Sequence, residues 1–120
     1  SKILEISEEN VPNWMFDISK KIPKSWDYTY HSILKVPPGQ TIPYHKDKHY
    51  KIQKKYGKGD TFRYWITLED WKSGHYFDVD DKPFFNWKKG DYIKFSNEWH
   101  TGGNMGREPK YVAQITCLSV

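Results

Sequence analysis

Thr61-Phe62-Arg63-Tyr64-Trp65-Ile66-Thr67-Leu68-Glu69 carries the clearest strand signal in the chain. Aromatic and β-branched residues dominate it, the types that pack best on a pleated, half-buried surface, so it reads as a strand. Strands are also expected over 30–36 and 42–47 before it, and over 76–79, 84–87, 92–95 and 111–118 after it. Pro37-Pro38-Gly39, Asp80-Asp81-Lys82-Pro83 and Lys88-Lys89-Gly90-Asp91 supply turn chemistry between them. About eight short strands at regular spacing point to a sandwich or barrel. The expected fold is mainly β: a double-stranded β-helix, the jelly roll that cupins share.

Two segments break this texture. Near the start, Asn10 suits a helix cap, Pro12 a first turn and Pro23 a stop, with Trp14 and Ile18 four residues apart on one face. A short N-terminal helical segment is therefore expected. Between 46 and 60 lie Lys46, Lys48, Lys51, Lys54, Lys55 and Lys58, with Gly57 and Gly59. That segment reads as a basic loop, either solvated or folded over a site as a lid.

The 120 residues suffice for one domain, 1–120, with one core. Six Trp, nine Tyr and six Phe exclude the aromatic-poor composition of a disordered chain. The net charge of +4 is compatible with an acidic partner without demanding one. Cys117 is the only cysteine, so no internal disulfide can form; a reducing compartment, the cytoplasm, is the expected location. No apolar run reaches the roughly 20 residues of a membrane helix.

His45-Lys46-Asp47 and the distant His100 carry the chemistry. Two imidazoles and one carboxylate on one face form the facial triad of non-haem Fe(II) sites, with the remaining positions left open. If residues 42–47 are a strand, alternation points His45 and Asp47 the same way. His49 continues the alternation and offers a rival set, His45-Asp47-His49, better suited to zinc or a cupin-like site. His31 reads as structural, and His75 as either cavity-lining or packed. Asp78, Asp80 and Asp81 lack the spacing of a calcium loop.

Several motifs together resemble a known family. They are Pro38-Gly39-x-x-Ile42-Pro43-x-His45-x-Asp47, Arg63 to Leu68, Trp87-Lys88-Lys89-Gly90-Asp91, His100-x-Gly102-Gly103-Asn104-x-Gly106 and Pro109-Lys110-Tyr111. Over about residues 30 to 118 the chain is similar to the 2-oxoglutarate/Fe(II)-dependent dioxygenases, notably the prolyl-hydroxylase-like and aspartyl/asparaginyl-hydroxylase-like branches and their small phage and marine microbial versions. The resemblance implies that His45, Asp47 and His100 hold Fe(II), and that 2-oxoglutarate chelates the ion. It implies that Lys110, ten residues after His100, pairs with the distal carboxylate of the cosubstrate. A lysine cannot offer arginine's bidentate fork, so a hydroxyl partner is expected from Tyr30, Tyr44 or Thr116. Arg63 matches a strand arginine that helps bind the cosubstrate in aspartyl-hydroxylase-like members; its alternative is an exposed strand charge. The implied activity consumes O2 and hydroxylates a C–H bond, releasing succinate and CO2. A peptide or amino-acid side chain is the expected prime substrate. Oxidation of nucleic acid is the alternative, motivated by the basic segment and the aromatics, and a non-enzymatic cupin-like metal-binding domain is a third.

Overall fold

The computed structural model describes residues 2–24 and 26–120. Among the described residues nine strands form two antiparallel sheets. They are β1 (Leu4–Ile6), β2 (Tyr28–Val36), β3 (Thr41–His45), β4 (Asp60–Thr67), β5 (His75–Val79), β6 (Lys82–Phe84), β7 (Tyr92–Phe95), β8 (His100–Asn104) and β9 (Lys110–Ser119). The larger sheet runs β1-β2-β9-β4-β7 and the smaller β3-β8-β5-β6. This is the expected jelly roll. Two helices accompany it, α1 (Trp14–Ser19) and α2 (Tyr50–Tyr56).

Side-chain alternation on the large sheet builds two separate cores. Tyr64 and Ile66 of β4, Ile33 of β2, and Ala113, Ile115 and Cys117 of β9 face outward, where Val11, Met15 and Ile22 from the N-terminal segment cover them. Trp65 of β4, Val112 of β9 and Phe95 of β7 face the small sheet, meeting Phe77 and Val79 of β5 together with Trp87. Trp65 and Phe77 stack at 4.1 Å, bolting the sheets together. The inner face of the large sheet turns polar toward one end. There Tyr30 lies opposite Thr116, Ser32 opposite Gln114, and Arg63 opposite Thr116 from the other side.

Several sequence expectations shift. The segment 84–87 is not a strand: β6 ends at Phe84, and Asn86 takes a left-handed conformation (φ 57°) that turns Trp87 into the core. The β5–β6 hairpin closes through Asp80 and Asp81, both at positive φ, as a two-residue turn requires. The first helix starts later than expected. Asn10 ends a short 3-10 turn, Pro12 precedes the helix, and Asn13 occupies the cap position. Met15, not Trp14, is its fully buried residue.

The basic segment is not a free loop. Residues 50–56 fold as α2, anchored by Ile52, buried to 1% exposure, and by Tyr56 stacked on Tyr28 at 4.3 Å. Lys51 and Lys55 reach back to Glu5 and Glu8. The chain enters this helix through His49 in the left-handed region (φ 53°, ψ 44°), which aims its imidazole inward. No helix among the described residues is long and apolar enough to cross a membrane.

Candidate metal centre

His45 and His100 are direct cross-strand partners at the end of β3 and the start of β8. Their rings lie 4.3 Å apart, centroid to centroid. A β-bulge between Ile42 and His45 creates this pairing. By strict alternation Ile42 and Tyr44 would share a face. The extra residue instead leaves Ile42 and His45 both lining the inner cavity, while Tyr44 stacks outside on Trp99. Bulges re-aim side chains in this way next to active sites. Pro43, which cannot donate to a ladder, sits at this edge strand where its missing N–H does least harm.

Asp47 is not on the strand. β3 stops at His45, and Asp47 lies in the irregular stretch leading to α2. The expected two-residue alternation therefore does not bring the carboxylate in. An ion-pair network does. Asp47 Oδ1 lies 3.2 Å from His45 Nε2, and Oδ2 lies 3.2 Å from His100 Nε2. Arg63 Nη1 donates to Oδ2 at 2.9 Å, and Arg63 Nε donates to Thr116 Oγ1 at 3.0 Å. Burial alone would raise the Asp47 pKa. The hydrogen bond from His100 and the positive charge of Arg63 outweigh it and hold the carboxyl well below the ordinary range.

Both histidines have their tautomer fixed from behind. His45 Nδ1 lies 2.6 Å from the Pro43 carbonyl and His100 Nδ1 3.0 Å from the Glu98 carbonyl. A carbonyl only accepts, so each Nδ1 carries a proton, which leaves each Nε2, facing Asp47, as the ring atom that can ligate a metal ion. Backbone acceptors behind metal-ligating imidazoles set orientation and basicity in the same manner. One donor atom from each of His45, Asp47 and His100 falls within 4.8 Å of the others. Two imidazoles and a carboxylate so placed fit a divalent transition ion and leave coordination positions free.

Behind the triad lies a cavity of about 180 Å³. Its walls include Trp65, Phe77 and Phe95, and Lys110 closes it. Lys110 is 3% exposed. Its Nζ donates to the Tyr76 carbonyl at 2.9 Å and lies 5.3 Å from the Trp65 ring centroid. No carboxylate pairs with it among the described residues, and burial pushes its pKa down to about 7. Gly102 gives the ammonium room, since a Cβ there would come within 3.5 Å of Nζ and 3.0 Å of the Phe77 ring.

No family model matches the sequence, and no curated protein matches it. Solved structures do. The cupin domain of an XRE-family transcriptional regulator from Enterobacter cloacae superposes with TM-score 0.62 at 9% identity, over 100% of both chains. The cupin domain of Schizosaccharomyces pombe Cnp3 gives 0.61 at 12% identity, over 99% of this chain and 66% of that one. A predicted oxalate decarboxylase from Thermotoga maritima gives 0.53 at 21% identity, over 74% of this chain and 65% of that one. The chain has the cupin fold.

Within the cupin sandwich the other candidates fall in different places. Arg63 lines the triad cavity but spends two donors on Asp47 and Thr116. Neither Tyr30 nor Thr116 reaches Lys110. Both line an adjoining cavity on the far side of Asp47 and Arg63. Tyr44 is exposed on the rim, with its hydroxyl toward Asp81. Lys110 therefore finds a backbone carbonyl where a hydroxyl was expected. His31 is structural: its backbone N–H donates to Glu8, and Phe16 packs edge-on against its ring. His75 packs against the Glu108 carbonyl at 2.8 Å and does not line the triad cavity.

His49, the rival ligand expected from alternation, is not in the ligand set. It is buried, its Nδ1 lies 2.8 Å from Thr61 Oγ1, and its Nε2 has no partner, 3.9 Å from Asp47 Oδ2. It stands beside the His45-Asp47-His100 cluster rather than in it. Burial, with Arg63 nearby, brings its pKa down to about 4. The left-handed entry to α2, not strand alternation, aims it there.

Proposed function

We propose that this chain is an Fe(II)- and 2-oxoglutarate-dependent dioxygenase that hydroxylates a C–H bond, most naturally of a peptidyl or amino-acid side chain. One observation carries the reading. Lys110 is a buried ammonium without a counter-ion among the described residues, walled by aromatic rings, in the same small cavity as a facial triad. Burying an unpaired charge is costly. A dianionic oxo acid that met the metal at one end and Lys110 at the other would remove that cost. The cupin fold is one that the 2-oxoglutarate oxygenases share.

When bound, the iron would activate O2 at the expense of the oxo acid, delivering one oxygen atom to succinate and one to the substrate carbon. His45, Asp47 and His100 would hold the ion, with their free faces toward the cavity. Arg63 fixes the Asp47 carboxylate and offsets its charge. Trp65, Phe77 and Phe95 exclude water around Lys110, which strengthens its hold on a carboxylate.

Anaerobic titration of the apo-protein with Fe(II) and 2-oxoglutarate tests this. A visible metal-to-ligand charge-transfer band is expected only when both are present. A folded, iron-loaded protein that gives no band with the oxo acid would refute the reading and leave a cupin metal-binding domain without oxygenase chemistry.

A second reading has its own support. Tyr44 and Trp99 stack at 5.5 Å on the rim, about half exposed, each adjacent in sequence to a triad histidine, and Lys46 Nζ lies 5.5 Å from the Trp99 ring. Exposed rings beside cations suit the bases of a single strand. If nucleic acid is the substrate, oligonucleotide binding weakens steeply between 50 and 200 mM salt. Affinity indifferent to salt would remove this alternative.

A further inference from the structure

A second cavity, of about 230 Å³, adjoins the triad cavity and shares Asp47, Arg63, Gln114 and Glu5 with it. The two differ in charge. The triad cavity contains an unpaired cation, Lys110. The second cavity contains no free charge among its described residues: Arg63 is bound to Asp47 at 2.9 Å, and Lys51 is bound to Glu5 at 3.2 Å. What remains is a set of neutral hydrogen-bonding groups from three elements. Tyr30 and Ser32 come from β2, Gln114 and Thr116 from β9, and His49 from the entry to α2.

These groups are under-used. The described contacts give the Tyr30 hydroxyl no hydrogen-bond partner. Ser32 Oγ reaches Gln114 Oε1 only at 3.5 Å. Thr116 Oγ1 accepts from Arg63, which leaves its own hydroxyl hydrogen to donate. His49 Nε2 is fully buried and unsatisfied. A buried polar atom without a partner costs roughly 1–3 kcal/mol, and a ligand that supplied the partner would recover it.

We propose that this cavity is the prime-substrate subsite, and that it receives an uncharged hydrogen-bonding group, a primary carboxamide, beside the metal. The proposal rests on the hydroxylase reading for its catalytic meaning but not for binding. A carboxamide brings two N–H donors and one carbonyl acceptor, which matches hydroxyls, an amide and an imidazole. A carboxylate or ammonium of the same shape would be buried with no free counter-charge to meet it. The site would therefore discriminate by desolvation as well as by contact. Substrates bearing an asparagine- or glutamine-like side chain are favoured over their acidic or basic counterparts.

The test is ligand titration of the whole 15N-labelled chain, read by amide chemical shifts. The probes are propionamide, propionate and propylammonium, with 2-oxoglutarate as a separate reporter on the Trp65 indole N–H beside Lys110. Propionamide is expected to shift the Ser32, Gln114 and Thr116 amides saturably in the millimolar range, with the two ions at least about fivefold weaker. Ser32→Ala and Tyr30→Phe each delete one hydroxyl. Each should weaken propionamide severalfold and leave the 2-oxoglutarate shift at Trp65 unchanged. No saturable shift at these residues, or an ion binding as well as the amide, would overturn the proposal. Shifts from propionamide with none from 2-oxoglutarate would uphold the neutral subsite and overturn the cosubstrate reading. The reverse pattern would overturn the subsite alone.

Discussion

Lys110→Met is expected to weaken 2-oxoglutarate binding by about 100-fold or more while leaving metal affinity nearly unchanged. Truncating one member of a buried, hydrogen-bonded charge pair costs roughly 2–5 kcal/mol, and no second cation is free in that cavity, since Arg63 is held by Asp47 and Thr116. The same variant should be more stable than the parent. The unfolded lysine titrates near 10.5 and the folded one at about 7. Between those values the unfolded chain binds more protons, so the parent's stability rises with pH across that window. Below pH 7 the full penalty of the buried ammonium is present, and Met, of similar length, does not suffer it. Urea unfolding at pH 6 should show Lys110→Met more stable by a few kcal/mol, and the advantage should shrink toward pH 10. Cosubstrate affinity of the parent should fall as pH rises above about 7, because the binding form of Lys110 is the protonated one. A variant that loses stability at pH 6, or that binds 2-oxoglutarate normally, would show that Lys110 is structural.

Four strands of the large sheet, β2, β4, β7 and β9, were legible because of their aromatic and β-branched residues, whereas β1, three exposed residues long, was not. Observed β4 and β9 each differ from expectation by only one or two residues at an end. β8 was not legible. His100-Thr101-Gly102-Gly103-Asn104 is poor strand sequence, and its two glycines answer a local demand. A Cβ at Gly103 would lie 2.6 Å from the Tyr76 hydroxyl, and one at Gly102 would press on Phe77. α2 was hidden for the opposite reason. It is short, it buries only Ile52, and two of its three lysines, Lys51 and Lys55, pair with Glu5 and Glu8, more than forty residues away in sequence. The triad residues were readable as types, but their geometry was not. A bulge shifts the parity of β3, and the Arg63–Asp47 contact depends on how a loop crosses a sheet. Residue type alone offers Tyr30 and Thr116 as hydroxyl partners for Lys110, whereas register places both beside Arg63, in the neighbouring cavity.

Removing a triad ligand should separate the metal site from the fold, and the two obvious variants should behave differently. His100→Ala is expected to lower Fe(II) affinity by more than about 100-fold, since losing even an outer partner of a ligand costs 10–100-fold. It should remain folded. Asp47 keeps its bond to Arg63, and the lost ring contacts with Phe77 and Phe95 are worth about 1–2 kcal/mol. Asp47→Ala should lose the metal equally but also destabilise the chain, by about 3 kcal/mol. It strands the Arg63 guanidinium, only 19% exposed, without its carboxylate, and breaking such a pair is far costlier than never having built it. The pH dependence gives an independent check. The folded Asp47 pKa lies below its unfolded value of 3.8, so its contribution is fully present above that pH and disappears as pH falls through the folded value. The stability gap between parent and Asp47→Ala should therefore be constant from pH 5 to 7 and narrow under stronger acid. Equal destabilisation by both variants would mean that the histidine pair, not the Arg63–Asp47 bond, supports this end of the sandwich. Undiminished Fe(II) binding in either variant would remove that residue from the metal centre.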